Sequence, residues 1–409
     1  MKSRRYDRHT LTQKRSWFGD SAPPMSMGSA RGIGRAAECQ IRWTNVNSSD
    51  NPRVSWPPKP PDIRVRQYAI EAPHVVILGA GASIAACPGG DRCGRRIPSM
   101  RNLIDVCGLR SILDEAGVSA APDANIEDLY SAIASDPTLA ECRTRLEESI
   151  ADYFDSLELP RSVTVYDQLL LSLRRKDLVA TFNWDPFLVQ AYYRNAYLRE
   201  LPEIVFLHGN VAVGICLQDG EKGYLGRSCR RCGKSYERAP LLYPVGEKRY
   251  RDDRFIANEW SILERKLKEA FMLTIFGYSA PVSDANAREL LEGAWTRNES
   301  RALSEIEIVD IRPRREIVRT WQSFITRDHY STHRKLNETW MFRFPRRSCD
   351  SLGWAILQND PWRERPLPRF RRLDRLRTWC VPLIEEEKAH YEKGGAFVPF
   401  GREAQSNWA

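Results

Sequence analysis

The sequence predicts an α/β protein whose centre is a doubly wound parallel sheet. Three observations predict it. Five short apolar runs, Val75–Leu78, Leu178–Phe182, Ile204–Leu207, Phe271–Phe276 and Ile306–Val309, alternate with helix-length amphipathic segments. The first run ends in Gly79-Ala80-Gly81-Ala82-Ser83, a Rossmann-like strand-to-helix turn that lacks the third glycine of the full dinucleotide fingerprint. Polar residues gather where the runs end: Ser83, Asn183, Asp185, His208, Ser279 and Asp310. That is the edge at which open α/β sheets bind ligands.

Totals narrow the classes. A chain of 409 residues suffices for two domains, or for one large domain with appendages. Hydrophobic content of 42% and charged content of 28% fit a soluble globular protein. No run of about 18 apolar residues is present, so no membrane span is expected. The basic N-terminus is not followed by an apolar core, so no secretory signal is expected either, and the location expected is cytoplasmic. Residues 1–70 hold 13 of the 62 Lys/Arg and 5 of the 53 Asp/Glu, which leaves 49 against 48 in the rest. The folded body is therefore nearly neutral, which argues against a broad nucleic-acid surface on it. The ten scattered cysteines read as reduced thiols.

In chain order, residues 1–70 lack periodicity and end in Trp56-Pro-Pro-Lys-Pro-Pro-Asp62, and are expected to be a disordered basic tail. Three readings of the tail stay open: contact with nucleic acid or an acidic partner, a transit peptide, or translated sequence ahead of the true start. The main domain is placed at 71–335. Its first strand enters the glycine turn, where two glycines let the backbone approach a pyrophosphate and a helix start offers N–H groups. A Cys/Gly/Arg loop follows, then helical stretches at 102–113 and 126–154. An amphipathic helix over Val165–Leu173 ends in Arg174-Arg-Lys176, where cations suit the dipole. The second run leads to Asn183-Trp-Asp185, and Pro186 opens a helix to about Tyr197. The third run delivers His208-Gly209. Segment 210–247 reads as a small irregular insertion with Cys216, Cys229 and Cys232. Helices are expected near 258–270, 283–295 and 315–324, and a helical C-terminal extension over 336–409. Seven arginines between 363 and 377 read as phosphate ligands or as a solvated helix face.

These strand ends, in this order, resemble the sirtuin (silent-information-regulator) superfamily over about 71–325. Gly79-Ala-Gly-Ala-Ser83 matches its dinucleotide turn. Thr181-Phe-Asn-Trp-Asp185 matches its Thr-Gln-Asn-x-Asp motif, with Phe182 at the glutamine. Leu207-His208-Gly209 matches the motif that carries its general base. Gly277-Tyr-Ser279 matches its later Gly-x-Ser turn, and Ile311-Arg312 stands at its Ile-Asn. The resemblance implies NAD as substrate, catalytic roles for His208, Asn183 and Asp185, and NAD contacts from Gly79, Ala80, Gly81, Ser83, Arg101, Gly277, Ser279 and Asp310. It also implies a zinc ribbon of two Cys-x-x-Cys pairs. Only Cys229/Cys232 form such a pair here, with Cys216 alone, so a zinc site with an unidentified fourth ligand and a metal-free module both stay open. Arg96-Ile-Pro-Ser-Met-Arg101 stands at the family's Gly-Ile-Pro-Asp-Phe-Arg loop, with Met100 at the phenylalanine.

Together these departures fit the bacterial sirtuin-like branch that hydrolyses NAD to nicotinamide and ADP-ribose, often in antiphage defence. A protein deacylase and a non-catalytic NAD or ADP-ribose sensor are the rivals. A homo-oligomer or a defence-system partner is the expected assembly. In chemical terms, His208 suits proton removal from water or a ribose hydroxyl, and Asn183 suits orientation of water or carboxamide. Each has a plainer alternative. His208 also reads as a structural strand-end histidine, Asn183 and Asp310 as helix caps, and Arg101 as a surface cation.

Overall fold

A computed structural model describes residues 71–121, 124–243, 250–281, 284–298, 301–325, 329–356 and 364–392. The tail expected over 1–70 lies outside these residues. Among the described residues nine strands are present: β1 (His74–Leu78), β2 (Leu178–Thr181), β3 (Glu203–Phe206), β4 (Val213–Ile215), β5 (Lys222–Tyr224), β6 (Glu237–Arg238), β7 (Met272–Phe276), β8 (Glu305–Val309) and β9 (His329–His333). Six of them form one sheet in the order β3-β2-β1-β7-β8-β9, and every neighbouring pair is parallel. The order reverses between β1 and β7. Such a reversal opens a crevice at the carboxyl ends of the two strands.

The central strands are buried along nearly their whole length and mostly apolar because helices cover both faces. Val76 and Leu78 join the core under the helices Val165–Ser172 and Phe187–Asn195. Val75 and Ile77 join the core under Arg254–Glu269, Ala285–Thr296 and Arg314–Ile325. The sixth strand, β9, escapes the apolar-run criterion. Its sequence His-Tyr-Ser-Thr-His is half exposed, as suits an edge strand paired on one side only.

The insertion over 210–247 was expected to be irregular, and its described part is not. β5, β4 and β6 form a small antiparallel sheet of two- and three-residue strands, too short to leave a periodicity. In the expected C-terminal extension, the helices Ser348–Ile356 and Leu373–Glu392 lie against the end of the sheet where β1 and β2 begin. There His74 Nδ1 is 2.8 Å from the Ser348 hydroxyl. Arg174 donates to Asp350 at 2.5 Å, and Arg346 donates to Glu387 at 2.8 Å and to the Leu173 carbonyl at 2.7 Å. Most of the described arginines of 364–377 face solvent. Arg372 pairs with Asp374, and Arg377 lies over the Tyr197 ring.

Candidate functional site

The two turns that flank the reversal are packed backbone to backbone. Gly79 N–H donates to the Phe276 carbonyl at 3.1 Å, and Gly81 N–H to the Gly277 carbonyl at 3.0 Å. A Cβ at Gly79 would lie 2.5 Å from Tyr278 Cα, and one at Gly277 would lie 2.3 Å from the Ala82 nitrogen. Gly277 also takes φ of +65°, where side chains are strained. Glycine is thus required here by the approach of two turns. Ala80 and Ile84 stay exposed on this edge, while Ser83 is buried beneath them.

Ser83 is the hub of a buried polar group. Its hydroxyl donates to Asp185 Oδ2 at 2.6 Å and lies 2.7 Å from the Tyr166 hydroxyl. Since Ser83 has one proton, Tyr166 is the donor in the second bond. Asn183 Nδ2 faces three acceptors: the Gly79 carbonyl (2.9 Å), Ser83 Oγ (2.9 Å) and the Tyr166 oxygen (3.2 Å). Its two protons fix the amide plane against the glycine turn, so Asn183 is no helix cap. Asp185 fills that role, accepting from Phe187 N–H through Oδ1 at 3.2 Å. Both carboxylate oxygens therefore point into the protein. Burial pushes the Asp185 carboxyl up to about 6, and no cation offsets it among the described residues. Asn210 completes the group. Its Nδ2 donates to the Asp185 carbonyl at 2.7 Å and the Asn183 carbonyl at 3.2 Å, tying the turn after β3 to the turn after β2.

His208 leaves the end of β3 one strand further on. The next residue, Gly209, has φ of +78°, and a Cβ there would lie 1.9 Å from the Pro240 oxygen, so this turn admits only glycine. The Leu242 N–H donates to the His208 carbonyl at 2.9 Å and clamps the turn from outside. The His208 ring packs edge-on against Phe182 at 4.8 Å between centroids, and Phe182 stacks on Tyr278 at 4.2 Å. His208 Nε2 lies 3.0 Å from the Tyr250 hydroxyl. Phe182, the residue before Asn183, thus joins the histidine after β3 to Tyr278 after β7.

The remaining expected residues stand apart from these two groups. Ser279 is exposed on the turn after Tyr278, next to Ala280 at the left-handed φ of 48°. Asp310 is engaged with Arg312, accepting its N–H at 2.9 Å and pairing with its guanidinium at 2.7 Å, so it does not cap the next helix. Arg101 is exposed just before the short helix Leu103–Val106. The loop after the glycine turn is folded around buried Asp91, which accepts from the N–H groups of Cys93 (2.8 Å), Arg95 (2.7 Å) and Glu158 (3.1 Å). Cys87, beside this site, is no nucleophile, because burial and the Asp185 charge push its thiol up to about 12.

In the insertion, Cys216, Asp219, Cys229 and Cys232 bring one donor atom each to within 4.8 Å of one another. Asp219 offers a fourth donor, which the sequence left unidentified. Cys216-Leu-Gln-Asp219 repeats the spacing of Cys229-Arg-Arg-Cys232, with carboxylate for thiolate. Backbone bonds repeat too: Gly220 N–H to Cys216 O and Gly233 N–H to Cys229 O, both 2.9 Å. The Cys216 and Cys232 sulfurs are 3.5 Å apart, and Asp219 Oδ2 is 3.2 Å from Cys229 Sγ. Tetrahedral zinc with bonds of about 2.3 Å needs ligand separations of about 3.7 Å. Three sulfurs and one carboxylate at this spacing suit a closed, structural zinc site.

No family model matches this sequence, and no curated protein does. Among solved structures, the chain is similar to a SIR2 homolog in complex with NAD, at 15% identity over 71% of this chain and 92% of that one, with a TM-score of 0.36. It is also similar to a mutant Sir2 homologue in complex with ADP-ribose, at 15% identity over 71% of this chain and 95% of that one, with a TM-score of 0.32. A third is SIR2 in complex with an inhibitor, 2'-O-acetyl-ADP-ribose and a deacetylated p53 peptide, at 17% identity over 59% of this chain and 82% of that one, with a TM-score of 0.31. At such TM-scores the likeness carries no weight for the site, whose chemistry rests on this chain's own side chains.

Proposed function

We propose that this edge binds NAD and hydrolyses its nicotinamide–ribose bond, releasing nicotinamide and ADP-ribose. One observation carries the reading. The Asn183 amide is held in a fixed plane between the Gly79 carbonyl and the Ser83 hydroxyl at the sheet reversal, with a histidine at the adjoining strand end.

The chemistry asks for little more. Nicotinamide leaves from a cationic pyridinium, so its departure needs no acid. The ribose must be held, the developing oxocarbenium stabilised, and water delivered. Asp185 supplies a negative field from below, unpaired with any described cation, and holds Ser83, on which the Asn183 amide rests. Asn183 orients the carboxamide or the attacking water. His208 takes the proton of that water. Gly79, Ala80 and Gly81 form the backbone wall against which a pyrophosphate lies, with Gly277 and Ser279 on the facing turn. Asp310 and Arg101 are the outer contacts of the same proposal. Phe182, its ring stacked on Tyr278, stands where the deacylase motif carries glutamine, and that departure favours hydrolysis over acyl-lysine chemistry.

Product analysis tests the reading. Peptide-free NAD should yield nicotinamide and ADP-ribose in equal amounts. Release that depends on an acyl-lysine peptide would make the protein a deacylase, and tight NAD binding without release would make it a sensor. A defence role rests on the resemblance alone. It predicts NAD loss in phage-infected cells that carry the wild type and none in cells that carry His208→Ala. The insertion's zinc would brace the fold there and take no part in the reaction.

A further inference from the structure

The strand that leads to His208 is held at its open side by an ion pair. Among the described residues β3 ends the order of the six-stranded sheet, so half of its backbone groups have no neighbouring strand to meet. Glu203 N–H donates to the Asp177 carbonyl at 3.1 Å and Leu207 N–H to the Thr181 carbonyl at 2.9 Å, so the odd positions face β2. The backbone groups of Ile204 and Phe206 alternate with them and point away from the sheet.

Two side chains, Glu259 at 0% and Lys222 at 8% exposure, meet those outward groups. Glu259, on the helix Arg254–Glu269, accepts the Phe206 N–H through Oε2 at 3.0 Å. Lys222, the first residue of β5 in the insertion, pairs with the same oxygen and donates to the Ile204 carbonyl at 3.4 Å. Beside Glu259, Trp260 donates from Nε1 to the Leu207 carbonyl at 3.2 Å. Phe206, Leu207 and His208 are thus each held by a bond from outside the sheet, the last through the Leu242 N–H. Burying two charges is costly, and an apolar pair would fill the same space at less desolvation. An apolar pair could not bond the outward N–H and carbonyl of an edge strand.

We infer that Glu259 and Lys222 are positioning residues for His208: they stand in for a neighbouring strand along the open side of β3 and so fix where His208 leaves the sheet. The inference rests on His208 acting in the proposed NAD hydrolysis. Neither side chain touches the reacting atoms. Their part is to hold the backbone two residues before the histidine, and a displacement of about 1 Å at a catalytic group costs up to about 100-fold in rate. Because Lys222 comes from the insertion, the pair also ties the insertion to the site.

The test uses the full chain and two double variants, because removing one charge alone strands its partner. Lys222→Met/Glu259→Gln keeps an oxygen that can accept the Phe206 N–H. Lys222→Met/Glu259→Leu fills the space and offers none. Two NMR readouts in NAD-free protein follow the geometry: exchange of the Phe206 amide proton, and the nitrogen-15 shifts of the His208 ring, assigned by their loss in His208→Ala. In the leucine variant the amide should exchange at least about 10-fold faster than in the wild type, and the ring shifts should move. Its nicotinamide release should fall about 10- to 100-fold in kcat, with KM within about threefold of wild type. The glutamine variant should stay within about threefold of wild type in kcat and keep the ring shifts. A folded leucine variant with wild-type kcat and ring shifts overturns the inference, as does a loss confined to KM. So does a glutamine variant as slow as the leucine one, or, where the leucine variant does not fold, a glutamine variant more than about 10-fold below wild type. If the wild type does not cleave NAD, hydrolysis fails as a reading, while the amide exchange and ring shifts still decide whether the pair places His208.

Discussion

At the scale of single residues, the site is a set of buried groups whose bonds are made by the fold. Asp185 shows the consequence most plainly. Burial raises its carboxyl to about 6 in the folded chain, against about 3.9 in an unfolded one. A group with a raised folded value adds stability in acid, and that stability is lost as pH rises through the folded value. Relative to Asp185→Asn, the wild type should therefore lose about 3 kcal/mol between pH 4 and pH 7, from a shift of about two units. Unfolding midpoints of both proteins across that range check it, and a constant difference would show that Asp185 is not buried as a charge. The residues that the sequence made legible here are those at strand ends: Ser83, Asn183, Asp185 and His208. Their partners were not. Tyr166 bonds Ser83 across 83 positions, and Tyr250 bonds His208 across 42, so no local pattern joins them. Asn210 was nearer to hand, two residues past His208, but its buried amide serves two backbone carbonyls rather than a motif.

At the scale of elements, five of the six strands of the main sheet were legible because each is buried along nearly its whole length and is mostly apolar. β9 and the small sheet of the insertion were not, the first because one side is open to solvent, the second because its strands are too short to carry a period. The insertion carries two knuckles whose four donors could hold one metal ion. Asp219→Ala removes one donor of four, and Cys229→Ser exchanges a thiolate for a weak ligand. Metal analysis of the purified protein should find about one zinc per chain in the wild type and clearly less in either variant. Chelation should lower the melting temperature of the wild type toward theirs. Equal metal content in all three proteins would remove the site. The glycine turns belong to this scale as well. Gly209→Ala drives a Cβ into the Pro240 carbonyl and should displace His208. Its NAD cleavage should fall at least about 10-fold below that of the wild type.

At the scale of the molecule, one sheet separates two polar systems. The candidate site occupies the carboxyl ends of β1, β2, β3 and β7. At the opposite end, buried charges join the C-terminal helices to the body: Arg174 with Asp350, and Arg346 with Glu387, each side chain nearly inaccessible. Removing one member of a buried pair leaves the other unmatched, at a cost of about 3–5 kcal/mol. Glu387→Ala should therefore destabilise the whole chain by about that amount in denaturant titration, with NAD cleavage per folded molecule retained. A change below about 1 kcal/mol would mean that the helix docks without this pair. No described helix is long and apolar enough to cross a membrane.

The central claim is that NAD is cut where the glycine turn, the Asn183 amide and the His208 ring meet. The most direct measurement is single-turnover nicotinamide release, with enzyme in excess over NAD, for the wild type, Asn183→Ala and His208→Ala, each confirmed folded. The account predicts release by the wild type and a fall of at least about 100-fold in both variants. Release at the same rate by all three proteins would contradict it.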